Sequence, residues 1–125
     1  MADKKTTVLI IEDEESLAAM YAAKFDKEGF NVVTASDGSD GIEKAKSSSP
    51  DIILLDIILP KKDGFMVLKE LKEDAKTKNV KVLMLSNLGQ DEDVSKGKKL
   101  GAEDYLVKAN LTPAQIVDKV KQYLG

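Results

Sequence analysis

Pro50-Asp51-Ile52-Ile53-Leu54-Leu55-Asp56-Ile57-Ile58-Leu59-Pro60 is bounded by prolines and, after Asp51, is an apolar run without alternation that carries a single acid, Asp56, inside it. A short, β-branched, continuously apolar segment of this kind predicts a strand buried on both faces, as in a parallel sheet. Asp56 then needs an explanation, because a carboxylate is rarely buried unless it is paired or bound to a metal. The strand is expected to end near Asp56 and to present it at the carboxyl edge of the sheet, where ligands of open α/β sheets bind. A lone strand-end aspartate also serves to cap the next turn. What decides between the two is whether other residues converge on it.

Working outward, the same pattern recurs on both sides. Thr6 to Ile11 is a second continuous apolar strand and ends abruptly in Glu12-Asp13-Glu14-Glu15. A helix follows, with Leu17, Met20, Tyr21 and Phe25 at helical spacing and Gly29 as its stop. Acids at a helix start complement the positive end of its dipole, which accounts for Glu14 and Glu15 better than for Glu12 and Asp13 at the strand tip. Asn31 to Ala35 is a short strand, and the turn cluster Ser36 to Gly41 opens a helix with Ile42 and Ala45 inward. After the central strand, Pro60 to Gly64 forms a turn and Phe65, Leu68 and Leu71 mark the core face of the next helix. Val80 to Ser86 is a fourth strand, ending in a hydroxyl.

Gln90 to Leu100 is helical but poorly equipped: Val94 and Leu100 are almost its only apolar residues. Gly97 in its interior costs about 1 kcal/mol relative to alanine. It is expected to be the least stable helix. Ala102 to Lys108 is the fifth strand and closes on a lysine. Thr112-Pro113-Ala114-Gln115 is a capping box with proline at the first helical position, and Leu111 and Ile116 are spaced as a hydrophobic staple. Ile116, Val117, Val120 and Leu124 form the buried stripe of the last helix. Strand and helix alternate five times without linker or repeat, so residues 1–125 are expected to form one α/β domain around a doubly wound parallel sheet.

Composition narrows the chemistry. With 125 residues, no cysteine and no histidine, the chain has no disulfides, no thiolate or imidazole ligands and no histidine base. A net charge of -3 with 19 scattered lysines argues against a direct nucleic-acid surface. The short leader to the first strand resembles no signal peptide, and no apolar stretch is long enough to cross a bilayer. A cytoplasmic location is the expectation.

In a parallel sheet all strands end on one side, and those ends read Glu12 and Asp13, Asp56, Ser86 and Lys108. Each alone has an ordinary explanation as a cap, a dipole partner or a solvated strand end. Together, three facing carboxylates must raise a pKa or hold a cation. All-oxygen ligation points to a hard ion such as Mg²⁺, and a carboxylate beside Mg²⁺ and a lysine is a plausible phosphoryl acceptor.

Along nearly its whole length the sequence resembles the receiver domain of bacterial two-component response regulators, in the manner of the single-domain chemotaxis regulators. The resemblance is carried by Ile11-Glu12-Asp13, by Asp56 within Leu54 to Pro60, by Asp63-Gly64, Ser86, Gly101-Ala102 with Asp104-Tyr105, and by Lys108. It implies a flavodoxin-like sheet of five strands in the order 2-1-3-4-5 with five helices. It further implies that Asp56 accepts a phosphoryl group from a histidine kinase or phosphotransfer protein, by self-catalysed transfer and autodephosphorylation rather than enzymatic turnover. With no histidine here, the phosphohistidine belongs to another molecule.

The resemblance also implies that Asp13 ligates Mg²⁺ directly, Glu12 mainly through water, and Asp56 and the backbone carbonyl of Ile58 complete the protein ligands. Lys108 would pair with the phosphoryl oxygens. Ser86 would move to the phosphoryl group and Tyr105 would follow by turning inward, altering the surface of the fourth helix, fifth strand and last helix for a downstream protein target. No effector domain follows the last helix, so a stand-alone regulator signalling by protein contact is expected.

Three departures stand out. Ala109 follows Lys108 where the family usually has a proline with a cis bond, and a non-proline cis bond costs about 3 kcal/mol. Asn87 stands where a small alanine is common, to crowd the site or to donate to the phosphoryl group. Ile58 and Leu88 are apolar at two positions where polar residues can orient the hydrolytic water, and are expected to exclude water and prolong the phosphorylated state. The alternative reading is a pseudo-receiver, a constitutive interaction module, against which the intact Glu12, Asp13, Asp56, Ser86 and Lys108 set argues. An aspartyl-nucleophile phosphatase would want an acid where Ile58 stands. An FMN protein would meet repulsion between its phosphate and three acids, and no Walker-type loop is present.

Overall fold

The computed structural model describes residues 5–87 and 91–124. Five parallel strands, β1 (Thr7–Ile11), β2 (Asn31–Ala35), β3 (Ile52–Leu55), β4 (Lys81–Ser86) and β5 (Asp104–Val107), lie in the order β2-β1-β3-β4-β5. Helices α1 (Glu15–Lys27), α2 (Gly38–Ser48), α3 (Gly64–Glu73), α4 (Asp91–Lys99) and α5 (Pro113–Leu124) alternate with them. This is the expected flavodoxin-like doubly wound sheet.

The segment from Ile52 to Leu55 is the middle strand. Ile53 sits opposite Leu9 on one side and Val82 on the other, so every residue of β3 is flanked by neighbours and fully buried. Its alternate side chains serve two cores. Leu9, Ile11, Ile53, Leu55, Val82 and Met84 meet α2 and α3, with Gly97 of α4 against Met84. Val8, Ile10, Ile52, Leu54, Leu83 and Leu85 meet Tyr21 and Phe25 of α1 and Ile116, Val117 and Val120 of α5. A strand covered on both faces has no polar phase, which is why alternation is absent from its sequence.

Local signals explain the ends. Gly29, at φ 92°, follows α1 in a left-handed conformation that a side chain disfavours. Asp37 caps α2 by accepting the Asp40 N–H at 2.8 Å, and Asp63 caps α3 by accepting the Met66 N–H at 3.0 Å. The capping box of α5 closes reciprocally: Gln115 N–H donates to Thr112 Oγ1 at 3.2 Å and Thr112 N–H to Gln115 Oε1 at 2.8 Å. Leu111 and Ile116 pack in the same core. No helix among the described residues is long and apolar enough to cross a membrane.

Some expectations shift. Met20 is not on the core face of α1: it is 45% exposed, while Ala18, Tyr21 and Phe25 are buried. A helix laid on one sheet face needs only a narrow stripe, here Tyr21 and Phe25 with Leu17 packed beside them. Phe65 is half-buried at the edge of the core, with the Lys96 ammonium 4.5 Å from its ring centre. β5 stops at Val107, and Lys108–Asn110 forms a single 3-10 turn. Of the expected fourth helix, Gln90 lies outside the described residues, as does Leu88.

Candidate functional site

The carboxyl ends of β1, β3, β4 and β5 surround a cavity of about 210 Å³ lined by Glu12, Asp13, Glu14, Asp56, Ile58, Ser86, Asn87 and Lys108. β1 runs straight into Glu12, whose N–H still pairs with the Ala35 carbonyl at 3.0 Å, so the ladder orients the first acid. Asp56 follows β3 directly and its N–H donates to the Ile11 carbonyl at 3.1 Å. One of its carboxylate oxygens, Oδ1, accepts the Ile57 N–H at 2.7 Å. Glu12 and Asp56 are only 4% and 7% exposed, whereas Asp13 is open to solvent.

Behind Asp56 the chain turns sharply into α3, and Gly64 is what permits the turn. Its N–H donates to the Ile57 carbonyl at 2.7 Å, and a Cβ there would collide with the Asp56 carbonyl. No side chain other than hydrogen fits between α3 and the backbone that carries the acid.

Lys108 supplies the positive charge. Its ammonium donates to Asp56 Oδ2 at 2.9 Å and also to Glu12 Oε1, bridging two buried carboxylates. Burial pulls the Lys108 pKa down, but the hydrogen bonds to Asp56 and Glu12 outweigh it and hold the amine above its ordinary value. Burial pushes the Glu12 carboxyl up; Lys108 and the Glu14 N–H, which donates to Glu12 Oε2 at 3.1 Å, only partly oppose this. No peptide bond among the described residues is cis. Lys108 therefore reaches the site from a trans bond to Ala109, without the proline common in the resembling family.

Glu12, Asp13 and Asp56 each offer a carboxylate oxygen within 4.8 Å of the others. One ammonium does not balance three carboxylates, and the deficit matches the charge of one divalent cation. The donors are all hard oxygens, with no nitrogen or sulfur ligand in the cluster. That set fits Mg²⁺.

Ser86, 1% exposed, ends β4 against the same cavity. Its side chain is hydrogen-bonded to that of Tyr105, which is itself buried and turned inward here. Burial first, then the negative charge of Asp93, pushes the Tyr105 phenol up to about 12. Ile58 lines the mouth of the cavity with 63% of its surface exposed.

All the residues singled out at the strand ends thus meet in one place. Sequence reasoning missed Glu14, which was assigned to the helix dipole. It is the N-cap of α1 without a side-chain cap bond, and it lines the cavity while its N–H orients Glu12. The absence of a Ser, Thr, Asp or Asn at that cap was the available signal.

Comparison with known proteins agrees. Residues 8–121 match the family model described as response regulator receiver domain. The chain is 36% identical over 117 residues to the alkaline phosphatase synthesis transcriptional regulatory protein PhoP of Bacillus subtilis, covering 94% of this chain and 48% of that protein. It thus spans about half the length of that relative. It is 35% identical over 101 residues to protein PilH of Pseudomonas aeruginosa, covering 81% of this chain and 84% of PilH. Among solved structures, the CheX-CheY-BeF3-Mg complex of Borrelia burgdorferi superposes with a TM-score of 0.88 at 33% identity, covering 96% of this chain and 90% of that one. By its sheet order, its acid-lined edge and the span of that family match, the chain belongs to the response regulator receiver family.

Proposed function

We propose that Asp56 accepts a phosphoryl group from a phosphohistidine on a histidine kinase or phosphotransfer protein. A carboxylate oxygen of Asp56 attacks phosphorus, the P–N bond breaks, its electron pair stays on the imidazole, and an acyl phosphate forms on Asp56. Glu12, Asp13, Asp56 and the Ile58 carbonyl would hold Mg²⁺, which when bound neutralises charge on the transferred group. Lys108, already on Asp56, follows the negative charge as it passes from carboxylate to phosphoryl oxygens. Ser86 turns from Tyr105 to donate to the phosphoryl group, and the consequent change around Tyr105 is read by a protein partner on the surface of α4, β5 and α5.

The observation that carries this reading is the Lys108 ammonium bridging buried Glu12 and Asp56, beside exposed Asp13 and buried Ser86. A lone capping aspartate has no need of such company. The chain spans 84% of PilH and 48% of PhoP, and the proposed output of the receiver is contact with another protein. Exposed Ile58 at the cavity mouth supports slow hydrolysis, since it offers no polar group to orient a water.

The test is incubation with acetyl phosphate and Mg²⁺, followed by intact mass. The expected result is one phosphoryl group added, lost in Asp56→Asn and prevented by chelation of the metal. An unmodified native chain under these conditions would leave a constitutive interaction module as the better reading.

A further inference from the structure

Between Asp56 and α3 the chain crosses as Ile57 to Asp63, with Ile58 on the cavity beside Glu12, Asp13 and Asp56. A backbone carbonyl has no side-chain torsion to adjust, so its aim depends on how firmly the chain on either side is held. Two hydrogen bonds hold this stretch. Gly64 N–H donates to the Ile57 carbonyl at 2.7 Å on one side, and Gly38 N–H, from the first residue of α2, reaches the Pro60 carbonyl at 3.3 Å on the other. Ile58 and Leu59 lie between the two, and Leu59 packs against the core. The Lys62 N–H donates to the same Pro60 carbonyl at 2.8 Å, and the Lys61 ammonium lies 3.4 Å from Asp37, the cap of α2.

Gly38 permits this approach because it has no side chain. It is buried, and a Cβ there would overlap the Lys62 carbonyl oxygen and lie 2.8 Å from both Lys62 Cβ and Val67 Cγ2, whereas carbon atoms pack at about 3.5 to 4.0 Å. The Lys62 carbonyl is backbone, so it yields only if the whole turn moves. The helix itself gives no reason for a glycine, since its φ is not in the left-handed range and glycine is a poor helix former. What the glycine serves is the contact across to the turn. We propose that Gly38 is a positioning residue for the metal: by seating the start of α2 on the 60–62 turn, it fixes the Ile58 carbonyl from the side opposite Gly64. The proposal rests on the reading of Ile58 as a metal ligand. It adds that α2, which supplies no ligand, sets the affinity of the site.

Calorimetric titration of the full chain with Mg²⁺ alone tests this. Gly38→Ala is expected to weaken Mg²⁺ binding by about tenfold, as for residues that orient a ligand without touching the metal. Ala45→Gly lowers helix propensity at a buried position in the second half of α2. It is expected to lower the unfolding midpoint yet to bind Mg²⁺ within about twofold of the native chain. With acetyl phosphate, Gly38→Ala is expected to need more Mg²⁺ for half its maximal rate while keeping a near-native rate at saturating Mg²⁺. Asp37→Ala loosens the same contact without adding bulk, by removing the cap of α2 and the Lys61 pair. Asp40→Ala removes the same charge from the same turn, where Asp40 pairs with Lys44 instead. The first of these is expected to bind Mg²⁺ about threefold more weakly than the second. Native-like Mg²⁺ affinity in Gly38→Ala, or an equal loss in Ala45→Gly, overturns the proposal and leaves the metal site standing. Should Gly38→Ala not fold, equal affinities for Asp37→Ala and Asp40→Ala overturn it. A native chain that takes up no Mg²⁺ overturns the metal reading itself, and the proposal with it.

Discussion

Lys61 holds a backbone conformation that lysine rarely adopts, with φ at 68°. It stands in the turn between Asp56 and α3, where the Lys62 N–H donates to the Pro60 carbonyl at 2.8 Å and the Gly38 N–H reaches the same carbonyl at 3.3 Å. The turn is thus tied both to itself and to the start of α2, and the left-handed residue is the cost of that closure, about 1 to 2 kcal/mol for a side chain. Lys61→Gly is expected to stabilise the protein by about 0.5 to 1 kcal/mol, the relief exceeding the added freedom of the unfolded chain. The lost ion pair to Asp37, 3.4 Å long and largely exposed on the lysine side, contributes little. Urea unfolding checks this, and Lys61→Ala, which keeps the strain, should not reproduce the gain.

Single residues differ in how readable they are. Asp56, Glu12 and Lys108 stand out because each breaks an apolar strand pattern, whereas Lys61 looks like any surface lysine. Its φ is set by what the turn must join, and no property of the side chain announces it.

Helices differ in the same way. α5 carries its start in four consecutive residues, and the structure realises each of them. Thr112→Ala is expected to cost about 1 kcal/mol, with the loss confined to α5 in hydrogen exchange, because Oγ1 is the acceptor for the Gln115 N–H. α1 was legible in extent but not in facing. Leu17, Met20, Tyr21 and Phe25 share a helical spacing, yet Tyr21 and Phe25 are buried and Met20 is left in solvent. Periodicity marks a side of the helix; the curvature and proximity of the strands choose the exact stripe. α4 was expected to be the weakest helix, and its burial of Gly97 alone gives that expectation a structural basis.

Across the whole molecule, alkaline pH tests the packing of all three tyrosines at once. Burial raises the Tyr21 phenol, burial and Asp93 raise Tyr105 to about 12, and the hydrogen bond to Asp104 raises Tyr123 to about 12. A folded pKa above the unfolded value near 10 means that the folded state keeps protons the unfolded state releases. This stabilisation is complete below pH 10 and is lost as pH rises toward 12. Lys108, also raised, acts in the same direction, while Lys72, lowered by burial, opposes it. The urea midpoint is therefore expected to hold up to about pH 10 and to fall above it, with tyrosinate absorbance appearing later than in free tyrosine. Tyrosinate forming near pH 10 in the folded protein would contradict the packing around Tyr105 and Tyr123.

By itself the sequence determined the five strand-helix units, their parallel pairing and the set of chemistry-bearing residues at the strand ends, because burial on both faces and helix capping are written in local residue types. Only the tertiary structure decided that Lys108 bridges Glu12 and Asp56, that Tyr105 already lies inward against Ser86, and that Gly97 sits over its ring. Those are contacts between segments up to 96 residues apart. Their geometry depends on how the strands twist and on how closely the helices settle on them, which no short stretch of chain specifies.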